Sequence, residues 1–158
     1  MTTTVSADTA HRVECRIAAG AADLGVHHGI RHAVFVAEQH VFDRSDRDVH
    51  DESSATVHVL GLVDGVAAGT VRLYPLEGDV WQGDRLAVLP PFRAKMLGGP
   101  LVRFAVATAG ALGGQRMIAH VQPANGSFFR RLGWQQLGEP EMYVGRPHLL
   151  MDIPLGAS

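Results

Sequence analysis

Arg85-Leu86-Ala87-Val88-Leu89-Pro90-Pro91-Phe92-Arg93-Ala94-Lys95-Met96-Leu97-Gly98-Gly99-Pro100-Leu101-Val102 is the stretch whose reading decides the fold. It reads as a short apolar strand, a turn rich in proline and basic residues, a Gly-Gly pair, and then a helix. Pro100 suits a first helical turn, where no N–H is needed. Such a helix start aims free backbone N–H groups at one point beside cationic side chains, which is the chemistry of an anion site. The loop therefore predicts a phosphate-bearing ligand. A Walker-type loop needs a Gly-Lys-Ser/Thr ending, and none is present. A dinucleotide fingerprint needs glycine at three set positions and a later acid, and this is absent too.

Outward from that stretch the chain alternates strands and helices. Val13 to Ile17 predicts a strand, and residues 23–39 a helix on their three- and four-residue apolar spacing. Residues 41–54 are acidic and read as a loop. Residues 56–63 and 66–74 predict a hairpin closed by Asp64-Gly65. Strands are expected at 83–89 and 116–121, and helices at 99–112 and from Asn125 to Arg131, each stopped by glycine. Two closing strands are expected at 134–137 and 148–153. The order gives an α/β fold of the α+β kind, a mixed sheet flanked by helices. Residues 11–158 read as one domain and residues 1–10 as a flexible tail.

Composition narrows the function classes. A net charge of −2 with no basic run gives no footprint for nucleic acid. No apolar stretch is long enough to span a bilayer, and the N-terminus lacks the pattern of a signal peptide. The single cysteine, Cys15, fits a cytoplasmic setting and reads as a small buried hydrophobe. His28 and His32 lie four residues apart on one helix, but no third ligand stands at a familiar spacing, so no metal is expected.

Four motifs in order resemble the GNAT superfamily of acyl-CoA N-acyltransferases. Arg93-x-x-Met96-x-Gly98 is similar to its pyrophosphate loop, with Met96 where the pattern has glycine; a first-turn helical residue tolerates that change. Arg85-Leu86-Ala87-Val88 resembles the strand that pairs with the pantetheine arm. Asn125-Gly126-Ser127-Phe128-Phe129-Arg130-Arg131-Leu132-Gly133-Trp134 resembles the late signature. Residues 30–39 and 145–151 resemble a bacterial branch of nitrogen-starvation-associated acetyltransferases. The resemblance implies acetyl-CoA as cosubstrate, held by Leu86, Ala87, Val88, Arg93, Ala94, Lys95, Met96, Leu97, Gly98, Gly99, Asn125 and Phe129. It also implies a small amine as acceptor and a homodimer as a candidate assembly.

Acyl transfer from a thioester to an amine needs a neutral amine, a stabilised oxyanion and a leaving thiolate. Freeing an alkyl amine at pH 7 costs roughly 4–5 kcal/mol, so a base is expected. His120 on the strand at 116–121 is the candidate, with Gln122 on the same face; Glu38 is a second. The family position that supplies a tyrosine to the thiolate matches Phe129, which has no proton to give. Tyr143, Tyr74 or water are the alternatives. Asp46, Asp48 and Asp51, with Arg72, are similar to the ion network of acyl-homoserine lactone synthases and predict an acceptor site for a cationic amine. Phe35 and His148 are further acceptor candidates. A non-catalytic acyl-CoA-binding module and an autoinducer-synthase-like transferase remain the competing readings.

Overall fold

The computed structural model describes residues 2–6 and 11–156. The expected tail is corrected in part. Thr2–Ser6 forms strand β1, antiparallel to β2, Arg12–Ile17, with Val5 opposite Val13. Met1, residues 7–10 and residues 157–158 lie outside the described residues. Helix α1, Gly20–Arg31, starts where Asp23 accepts the N–H of Ala19 at 3.0 Å, three residues before the expected start. It continues as a wide π-helical segment over His32–Glu38, closed by Gln39 N–H on the Val34 carbonyl at 2.8 Å.

Strands β3, Val57–Val63, and β4, Val66–Pro75, form the predicted hairpin. Asp64 and Gly65 both have positive φ, at 51° and 81°, which two-residue hairpin turns require. Strand β5, Val80–Val88, begins three residues earlier than the sequence suggests. Helix α2, Gly98–Ala111, strand β6, Arg116–Val121, and helix α3, Gly126–Arg131, follow. Three strands close the chain: β7, Gln135–Gln136; β8, Glu141–Tyr143; and β9, Arg146–Pro154. The sheet runs β1-β2-β3-β4-β5-β6-β9-β7, and β8 pairs with β9 off that path. Among the described residues only β5 and β6 pair in parallel, and no helix is long and apolar enough to cross a membrane.

Strand alternation sends Val57, Val59 and Val63 to one face, under α2, and Leu60 and Leu62 to the other, under α1. Two glycines let α2 approach the sheet. A Cβ on Gly61 would stand 2.9 Å from Leu97 Cδ1. One on Gly69 would stand 2.8 Å from Leu97 Cδ2 and 2.9 Å from the Ala87 carbonyl oxygen. Leu97 and Leu101 are fully buried in those hollows. Cys15 is buried as expected, and burial pushes its thiol pKa up to about 12.

The Ala87 carbonyl is backbone and cannot swing away. Gly69→Ala is therefore expected to lower the urea-unfolding free energy by about 1–3 kcal/mol; an unchanged midpoint would contradict this packing.

Candidate active site

β5 and β6 pair through Val80, Trp81 and Gln82 opposite Arg116, Met117 and Ile118, and then separate. The separation begins beside a bulge. Thr70 faces Ala87 and Arg72 faces Asp84, so β5 carries one extra residue against β4. Arg85 sits at φ 53°, and its carbonyl accepts a 2.9 Å bond from Thr70 Oγ1. The extra residue reverses the alternation of β5. Trp81 packs under α2 before the bulge, and Leu86 and Val88 pack there after it, while Ala87 turns to the α1 face. Meanwhile β6 is drawn away by six pairs with β9. Between the parted strands lies a cavity of ≈ 140 Å³. Its walls include Phe35, Phe42, Asp84, Leu86, His120, Gln122, Asn125, Phe129, Tyr143 and His148.

The bulge is anchored by a buried ionic network. Arg72, fully buried, bonds Asp84 through Nε at 2.8 Å and Asp48 through Nη1 at 2.7 Å. Arg31, also fully buried, bonds Asp46 at 2.6 Å and Asp51 at 2.7 and 3.0 Å. Arg85 reaches Asp46 Oδ2 at 3.0 Å, and its guanidinium lies 4.8 Å over the Phe42 ring. These bonds pin the acidic loop to α1, β4 and β5. Asp46, Asp51 and Arg72, expected at the acceptor, are enclosed in this network, and neither they nor Asp48 are among the residues of the cavity wall. Asp48 keeps 36% of its side chain exposed. Burial opposes ionisation of Asp51, yet bonds from His58, Arg31 and the Asp48 N–H hold its carboxyl well below the usual range. His27 Nδ1–H donates to the Val59 carbonyl at 3.0 Å, so Nε2 is left to accept Arg31 Nη1 at 3.3 Å. Burial and the Arg31 charge push the His27 pKa down to about 3. His28, Asp51 and His58 bring ligand-type atoms within 4.8 Å of one another, but Asp51 is already bonded by Arg31 and Arg72.

His120 stands in the cavity wall. Its ring stacks on Tyr143, with centroids 3.9 Å apart and planes 2° from parallel. Nε2 lies 3.8 Å from Glu141 Oε1, and Nδ1 is enclosed with no hydrogen-bond partner among the described residues. Burial lowers the His120 pKa and His148 adds to that, while Glu141 and Asp84 oppose it. His148 is buried, with Nδ1–H donating to the Arg146 carbonyl at 3.0 Å. Tyr74, an alternative acid, is buried against His50 at 3.8 Å and is not in the lining.

The turn before α2 is a 3₁₀ segment, Pro90–Lys95. Met96 follows it at φ 59° and ψ 37°, so it lies in the left-handed region and not in the first turn of the helix as expected. That geometry is glycine's domain, and methionine bears a cost of about 1 kcal/mol there. The residue is 64% exposed. No described side chain caps α2, so its first N–H groups are left for a ligand. Gly98 lies against Phe128, where a Cβ would stand 3.4 Å from the ring, and Arg103 extends back to Gly99. The side chains of Ala94 and Lys95 lie outside the described set. Arg93 does not point at open loop: Nη1 and Nη2 each bond Glu38 at 2.6 Å, and Nε bonds the Val88 carbonyl at 3.0 Å.

A strand edge left open beside an uncapped helix start suits the pantetheine strand and pyrophosphate loop that the resemblance implies, and residues 26–134 match the acetyltransferase (GNAT) family. The chain belongs to this family. It is 30% identical over 123 residues to YyaT, an uncharacterized protein of Bacillus subtilis (strain 168), covering 77% of this chain and 82% of YyaT. An acyl-CoA N-acyltransferase from Pseudomonas aeruginosa has the same fold, with a TM-score of 0.75 at 22% identity over 89% of this chain and 97% of that one. BjaI, a CoA-dependent acyl-homoserine lactone synthase solved with SAM and isopentyl-CoA, shares it at a TM-score of 0.71 and 21% identity, over 84% and 76%.

The cavity thus gathers seven residues that the sequence nominates: Phe35, Leu86, His120, Asn125, Phe129, Tyr143 and His148. It adds Asp84 and Phe42, for which no sequence motif predicts a place in the wall, and Arg85, which the sequence places only in the strand motif. Buried neutral His27 makes stability depend on pH. Its folded pKa is depressed, so below about pH 6.5 the unfolded chain binds more protons and stability falls as pH falls. Unfolding at pH 5 is expected to need about 2 kcal/mol less than at pH 7 on this account alone. His27→Gln should flatten that slope in pH-dependent melts; an equal slope would contradict it.

Proposed function

We propose that this GNAT-family protein is an acetyl-CoA-dependent N-acetyltransferase acting on a small amine. The observation that carries the reading is the cavity between parted β5 and β6, with His120 in its wall and Val102 and Ala105 of α2 in the same lining. The thioester arm would lie along the β5 edge at Leu86 to Val88. The pyrophosphate would meet the first N–H groups of α2 with Arg93 beside them, and Arg103 is a further cation within reach of the same end. Asn125, just before α3, and Phe129 within it would flank the arm.

The amine nitrogen would attack the thioester carbon, and His120 Nε2 would take the amine's proton directly or through one water. Burial lowers the His120 pKa, which favours the neutral form that a base needs. The C–S bond then breaks and the thiolate takes a proton. Phe129 offers none; Tyr143 carries the one hydroxyl among the described lining side chains and is the proton source we assign. Phe35 and His148 would line the acceptor side. The kinship with the nitrogen-starvation-associated branch rests on residues 30–39 and 145–151 alone.

The test is turnover of acetyl-CoA over a panel of small amines, followed against pH in wild type and His120→Gln. Wild type is expected to lose kcat/KM on an acid limb that lies below the ordinary histidine value of about 6.5. The variant should lose about 100-fold in kcat along with that acid limb. CoA binding with no turnover of any amine would instead support the non-catalytic reading, and no CoA binding would overturn both.

A further inference from the structure

Glu38 and Arg93 close on each other beside the cavity, whose wall takes Phe35, Val41 and Phe42 from the same stretch of chain as Glu38. The pair is two-pronged, 2.6 Å on each arm, and joins the end of the first helical segment to the turn that leads into α2. Both side chains are part-exposed, 35% for Glu38 and 42% for Arg93, so partners can exchange without burying a bare charge. The next residue ties the same segment to the opposite wall. Gln39 Oε1 accepts from Gln122 Nε2 at 3.4 Å, and its carbonyl accepts from Arg146 Nη2 at 3.1 Å. Glu38 and Gln39 therefore form a clasp between the turn before α2 and Gln122 in the cavity wall. It is set between a wide helical turn and His40, which has φ 54°.

An arginine fork binds one planar or tetrahedral anion at a time. With its Nη pair on Glu38, Arg93 has that face occupied. A diphosphate arriving at the start of α2, a few residues further on, carries more charge than one carboxylate and competes for the same face. The displaced carboxylate is left ionised and without its arginine, about one helical turn from Phe35 in the cavity wall.

We propose that Glu38 is the acceptor's ammonium-binding residue, and that the pyrophosphate of the donor releases it from Arg93. This rests on the acetyl-CoA reading above. Glu38 is held by Arg93 while the cavity is empty and turns to the amine once the donor is in place. The acceptor class is then a cationic amine, and productive binding follows the donor.

The experiment is calorimetric titration of CoA, and of pantetheine, which lacks the pyrophosphate, into wild type, Glu38→Gln and Glu139→Gln. Glu38→Gln is expected to bind CoA about fivefold more tightly, with pantetheine unchanged, and to raise KM for the amine more than it lowers kcat. Glu38→Ala should give the same CoA shift. Glu139→Gln removes an equal charge away from Arg93 and should change nothing. The proposal is overturned if CoA affinity is unchanged or weaker in Glu38→Gln, if pantetheine tightens equally, or if Glu139→Gln tightens CoA as much. Equal CoA binding by all three proteins sinks only the role of Glu38. No CoA binding by any of them sinks the donor reading.

Discussion

Two adjacent parallel strands normally satisfy each other's backbone groups along their whole length. Here β5 and β6 do so for three residues only. From Gly83 on, the β5 edge faces a cavity instead of a strand, and the donor arm we propose would supply the missing partner. Everything at the site depends on keeping that gap open. The bulge at Arg85 bends β5 and reverses its alternation. The pairing with β9 holds β6 on the other side. The helices then fill the two faces, α2 with an uncapped N-terminus and α1 with the π-helical segment that carries the clasp.

The bulge in turn is held by arginines and aspartates from several parts of the chain. Arg31 comes from α1, Arg72 from β4, Arg85 and Asp84 from β5, and Asp46, Asp48 and Asp51 from the acidic loop. Such a network is weak evidence of net stability, because desolvation offsets much of its attraction. Removing one partner is another matter: a buried charge left alone costs about 3–5 kcal/mol. Its value is in geometry. Arg72 and Arg85 fix the two sides of the bulge, so the strand edge that faces the cavity is set in position before any ligand arrives.

Local signals are legible in the sequence. Asp64-Gly65 closes the β3–β4 hairpin, Gly98-Gly99-Pro100 opens α2, and β6 has the predicted bounds. What the sequence hides depends on distant partners or on backbone that the residue type disguises. Strand β8 is hidden because its turn is Val144-Gly145, both at positive φ, and valine is a poor signal for that conformation. The bulge is hidden because Arg85 reads as an ordinary strand residue. The aspartates of the loop look like an acidic run open to an amine. Their arginines lie 15 to 39 residues away, and no spacing rule pairs them. His120 and Phe129 stand in the cavity wall where their motifs point, whereas the stack of His120 on Tyr143 depends on the pairing of β8 with β9.

The central claim is that the gap between β5 and β6 receives the donor. Amide hydrogen exchange with and without acetyl-CoA tests it most directly. The account predicts new protection concentrated at Leu86 to Val88 and at Leu97 to Gly99, with the β2–β3 ladder unchanged. Binding that protects neither segment, or that protects only amides away from the gap, would contradict it.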